Sequence, residues 1–78
     1  MKMNKEYRNL KIMLENNVKH TLMNDHIVIT RGDDIIVAFP HEQGIQLYYK
    51  HIPTDYENEY IFDTGVKAFG KVQELLFF

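Results

Sequence analysis

Between residues 26 and 50 the chain reads as three β-prone runs, 27–31, 34–39 and 45–51, separated by Gly32-Asp33 and by Pro40-His41-Glu42-Gln43-Gly44. Both separators are turn chemistry, so the pattern predicts an antiparallel meander. In a period-2 reading Ile27 and Ile29, then Ile35, Val37 and Phe39, then Ile45, Leu47 and Tyr49 supply the buried face. The opposite face then carries Val28, Thr30, Ile36, Ala38, Gln46, Tyr48 and Lys50. With Val28, Ile36 and Tyr48 in its middle, that second face is too apolar to be plain solvent surface.

Helical spacing flanks the meander. Met3, Tyr7, Leu10 and Leu14, with Met13 widening the stripe, predict an amphipathic helix over residues 3–17 that stops at Asn16-Asn17 and leaves Ile12 at least partly exposed. At the other end Val66, Phe69, Val72 and Leu76 predict a closing helix capped by Asp63 or Thr64, weakened by Gly65 and Gly70. Residues 75–78 also fit a strand, but less well. Residues 18–23 fit a short extra strand closed by the Asn24-Asp25 turn, and residues 56–62 fit either a further strand or an irregular crossing. The expectation is one α+β domain over residues 1–78, a three- or four-stranded antiparallel meander between an N-terminal and a C-terminal helix.

Composition narrows the setting. A 78-residue chain without cysteine has neither a disulfide framework nor a thiolate metal site, which favours an intracellular, cytoplasmic protein. No signal-peptide core and no membrane-length apolar run are present. The net charge of −2 disfavours a phosphate-gripping nucleic-acid binder.

Chemistry-bearing residues are scattered. Arg31-Gly32-Asp33 matches an integrin-binding tripeptide but reads as a hairpin turn. His20, His26, His41 and His51 have no ligand spacing, so neither metal nor cofactor is expected; His26 beside Asp25 is the first place to look for one. No nucleophile elbow, P-loop or dinucleotide fingerprint occurs, and no catalytic residue is assigned. What remains is an acidic run, Asp55, Glu57, Glu59 and Asp63, interleaved with Tyr56 and Tyr60 and preceded by Tyr48 and Tyr49. Tyrosine offers apolar area with a polar tip, and aligned carboxylates select a basic partner.

These features point to a small non-catalytic protein-binding module, of the kind phages and mobile elements use as accessory proteins to bind and inhibit a host or defence protein. The expected partner-binding residues are Val28, Ile36, Tyr48, Tyr56, Glu57, Glu59 and Tyr60. A homodimer could form through the sheet face or through Leu76, Phe77 and Phe78, an unusually apolar chain end. The second reading is a small dimeric nucleic-acid-binding regulator using Lys2, Lys5, Arg8, Lys11 and Lys19.

Overall fold

The computed structural model describes residues 4–77, apart from the side chains of Asn17 and Phe77. Met3, Lys2 and Phe78, each given a role above, lie outside the described residues. The order is helix α1 (Lys5–Asn17), strands β1 (Thr21–Leu22), β2 (Ile27–Arg31), β3 (Asp34–His41), β4 (Gly44–His51) and β5 (Tyr56–Phe62), then helix α2 (Gly65–Phe77). The strands form one antiparallel sheet in the order β1-β2-β3-β4-β5, a meander between two helices. Both segments that the sequence left open are strands, although β1 is only two residues long.

Local chemistry explains the boundaries. Asn4 caps α1 by accepting the Tyr7 N–H at 2.6 Å, while its amide donates to the carbonyls of His41 and Gly44 at 3.1 and 2.8 Å. One side chain thus ends the helix and ties it to the β3–β4 hairpin. At the other end of α1 the Val18 N–H closes on the Leu14 carbonyl. Thr64 caps α2, its hydroxyl accepting the Lys67 N–H at 3.2 Å. Pro40 lies inside β3, but β2 is in register only as far as Ala38, so no ladder bond toward β2 is asked of Pro40. Between β4 and β5 the chain makes a single 3-10 turn over Ile52–Thr54 and then reverses at Asp55 in the left-handed region.

Both helices cover one face of the sheet. Tyr7, Leu10 and Leu14 of α1 and Ala68, Val72 and Leu76 of α2 meet Ile27, Ile29, Ile36, Ala38, Ile45, Leu47 and Tyr49. Here the expected faces of β3 are corrected. Ile36 and Ala38 are fully buried, whereas Ile35, Val37 and Phe39 turn to the other side. The cause is register: the two-residue turn at Gly32-Asp33 pairs Arg31 with Asp34, which sets Ile29 opposite Ile36, and opposed residues share a face. Helix α2 is corrected in the same way. Val66 is 69% exposed, and the stripe against the core is Gly65, Ala68, Val72 and Leu76.

Two glycines are structural necessities. Gly44 has φ +138°, and a Cβ there would fall 2.3 Å from the Phe62 carbonyl oxygen. Gly65, expected to weaken its helix, is where α2 presses on α1: an added Cβ would lie 2.6 Å from the Glu6 carbonyl oxygen. Its N–H also donates to the Glu6 carboxylate at 2.9 Å.

Candidate docking face

Among the described residues both helices lie on one face of the sheet and nothing covers the other. Register carries three rows of side chains across it. Thr21, Val28, Val37, Tyr48 and Glu59 form the middle row. Thr30, Ile35, Lys50 and Glu57 lie on one side of it, and Phe39, Gln46 and Ile61 on the other. Phe39 and Ile61 are 37% and 50% exposed, while Val28, Ile35, Val37 and Tyr48 are half-buried only by one another and by their polar neighbours. His26 closes one corner, its ring 5.7 Å from that of Phe39.

Carboxylates gather at the β5 margin of this face. Tyr48 donates its hydroxyl to Glu57 at 2.7 Å, and that bond raises the Tyr48 pKa because a phenolate would face a carboxylate. Lys50 pairs with Asp55 at 3.1 Å, which raises the lysine pKa, and Asp63 pairs with Lys67 at 3.0 Å, which lowers the carboxyl pKa. Glu59 takes only a long contact from the Gln46 amide at 3.4 Å. Among the described residues neither Glu57 nor Glu59 forms a salt bridge.

The expected partner-binding residues are therefore divided. Val28, Tyr48, Glu57 and Glu59 share the open face. Ile36 does not belong to it, being fully buried beneath the helices. Tyr56 and Tyr60 point to the helix side: Tyr56 is exposed and meets Tyr49 edge-on at 6.0 Å, and Tyr60 is half-buried beneath the Lys71 ammonium at 4.5 Å. Asn58, between them, donates to both hydroxyls, at 3.3 and 3.1 Å. Of the apolar chain end, Leu76 is spent inside the core of its own chain. Residues that sequence reasoning missed on the open face are Ile35, Val37, Phe39 and Ile61.

A second cluster also escaped the sequence reading. Asp34 and His51 are cross-strand partners, and Asp34 Oδ1 accepts from the Tyr49 hydroxyl at 2.7 Å and lies 2.8 Å from His51 Nδ1. The His51 bond first, then the Tyr49 bond, lowers the Asp34 pKa, and the Asp34 carboxylate pushes the Tyr49 hydroxyl up to about 12. The signal for it was available: Asp34 and His51 sit at equal distances from the β3–β4 turn. His26 and Asp25 do meet, at 2.7 Å, and the contact lowers the Asp25 pKa. Among the described residues no group of three or more His, Asp or Glu side chains converges as a metal site would require. No helix of the described residues is long and apolar enough to cross a membrane.

A cleft of ≈ 250 Å³ opens between the start of α1 and the β3–β4 turn, lined by Asn4, Glu6, His41 and Glu42 among others. Its polar groups serve the fold. Asn4 holds the turn, Glu6 holds the Gly65 N–H, and His41 Nδ1 accepts the Gln43 N–H at 3.0 Å. Comparison with known family models, curated proteins and solved structures finds no match to this chain.

Proposed function

We propose that this protein is a non-catalytic protein-binding module acting in the cytosol, an accessory protein of the phage or mobile-element type that docks on a host or defence protein and inhibits it. The observation that carries the reading is the uncovered sheet face, where Val28, Val37 and Tyr48 run in register and Ile35, Phe39 and Ile61 extend the apolar area on both sides. An apolar centre with a polar rim is the anatomy of a protein interface. The rim is acidic at Glu57 and Glu59, so the partner surface it suits is apolar at its centre and basic at its edge. The phage-type assignment draws its support from composition alone, a cysteine-free chain without a catalytic motif.

The test compares the tagged wild type with Val37→Glu, a change on the open face that leaves the core untouched. Both are used to capture partners from the native host, and recovered complexes are cross-linked and mapped by mass spectrometry. A protein captured by the wild type, cross-linked near Tyr48 and absent from the Val37→Glu sample is the expected result. Equal recovery with both, or recovery of nucleic acid alone, overturns the reading.

A further inference from the structure

The two edges of the sheet are built differently. On one side β1 is cut to two residues, while on the other β5 keeps an unbroken register with β4 from Phe62 to Tyr56. Proline, a bulge or a short strand are common ways to blunt an edge, and β5 has none of these. Its protection is charge, from Glu57 and Glu59, which a strand of opposite charge would not meet as repulsion, and every residue from Tyr56 to Glu59 is exposed. Among the described residues no strand lies on its outer side.

Its outward hydrogen-bonding groups can be assigned. The Glu59 N–H is held by the side-chain oxygen of its neighbour Asn58 at 2.9 Å, so it is turned away from β4. Alternate residues of an antiparallel strand direct both backbone groups to the same side, so Glu57 and Ile61 present theirs outward with Glu59. A strand added here would place one set of side chains beside Glu57, Glu59 and Ile61, and the other beside Tyr56, Asn58 and Tyr60. Two carboxylates without salt bridges call for cations two residues apart. The Tyr60 ring already carries one ammonium at 4.5 Å, and the exposed Tyr56 ring is available to another.

A second copy is a poor occupant. Pairing two β5 strands antiparallel about Asn58 sets each Glu57 opposite a Glu59, and like charges directly opposed disfavour the pairing. We propose that β5 accepts an extended basic segment of a partner protein as a sixth, antiparallel strand, with an apolar residue beside Ile61 followed at the next two alternate positions by lysine or arginine, beside Glu59 and Glu57. Strand addition draws affinity from main-chain bonds and specificity from alternate side chains. The inference rests on the protein-binding reading above and adds the mode and the partner chemistry.

The probe is a capped seven-residue peptide with valine second, lysine fourth and sixth and threonine elsewhere, an order that sets valine beside Ile61 and the lysines beside Glu59 and Glu57 in an antiparallel strand, titrated into isotope-labelled protein and followed by NMR. Shifts confined to β5 are expected, with slowed exchange of the Glu57 and Ile61 amides. Replacing both lysines by glutamate, or using the Glu57→Gln/Glu59→Gln protein, should weaken binding about fivefold or more. N-methylation of the peptide's edge-facing amides should abolish binding. No response at millimolar peptide, shifts centred on Val28 and Val37, insensitivity to charge, or a protein dimer held through β5 would each overturn the proposal. Because Val37→Glu leaves β5 intact, loss of partner capture in that variant together with an unresponsive edge removes strand addition and leaves the docking reading standing.

Discussion

Removing one oxygen from Tyr49 tests whether the Asp34 cluster stabilises the fold. The Tyr49 ring is 9% exposed and packs in the core, while its hydroxyl reaches Asp34 Oδ1 at 2.7 Å. Tyr49→Phe keeps the ring and deletes the bond. A hydrogen bond to a charged group contributes roughly 1.5–3 kcal/mol, and because Asp34 keeps His51 and some solvent contact, about 1 kcal/mol is expected at pH 7. The alkaline limb is more diagnostic. With its folded pKa raised from 10.0 to about 12, Tyr49 contributes stability that is complete below pH 10 and is lost as pH rises through 12. Two units correspond to at most about 2.7 kcal/mol, and screening at the partly open Asp34 brings this to about 1–2 kcal/mol. Urea unfolding at pH 7, 10 and 11.5 should show the wild type losing its advantage over Tyr49→Phe as pH rises. The lysines titrate in both proteins and cancel. Absorbance titration should show the highest phenolate step of the wild type missing from the variant. Equal stabilities at pH 7 and parallel pH curves would refute the reasoning.

Asp34→Asn should flatten the acid limb of the same stability profile. The folded Asp34 pKa is lowered, so its contribution is present above about 3.8 and disappears as pH falls through the folded value, a dependence the variant lacks. Gly44→Ala meets both a left-handed φ and the Phe62 carbonyl, and should cost about 3 kcal/mol or more in chemical denaturation. Gly70→Ala, by contrast, adds its methyl where nothing lies within 4 Å on an exposed helix turn, and should raise stability by about 0.8–1 kcal/mol in the same assay.

Much of the fold was legible because its signals were local. The Tyr7, Leu10 and Leu14 spacing, the exposure of Ile12, the extent of β2 and the Gly32-Asp33 turn all follow from residues within a turn or two of one another. Hydrophobicity counted residue by residue puts the wrong face of β3 inside, because Ile35, Val37 and Phe39 outweigh Ile36 and Ala38. Turn arithmetic contradicts that choice from both neighbours: Gly32-Asp33 sets Ile29 against Ile36, and Glu42-Gln43 sets Ile36 against Tyr49. The exposure of Val66 has a different cause. The side of α2 that faces inward is chosen by Gly65, whose lack of a side chain lets the two helices touch, and a hydrophobicity count cannot register a glycine's contact. Proximity in sequence groups Tyr56 and Tyr60 with Glu57 and Glu59, but alternation in a strand sends the two pairs to opposite faces.

The corrected register strengthens the case for a working surface. Stability alone would bury Val37 and Phe39 and leave Ala38 outside, because each buried methylene contributes about 0.8 kcal/mol. The chain does the reverse, with Ala38 fully buried and Phe39 exposed. The space under α1 and α2 explains part of this: Ala38, Ala68 and Gly65 are small residues buried where helices meet each other and the sheet. Nothing in that packing requires valine, isoleucine and phenylalanine on the outer side of β3, where threonine would serve a strand as well. An apolar row kept outside against the demand of stability, aligned with Val28 and Tyr48 and bordered by carboxylates that form no salt bridge, is the kind of local violation expected of the proposed docking surface.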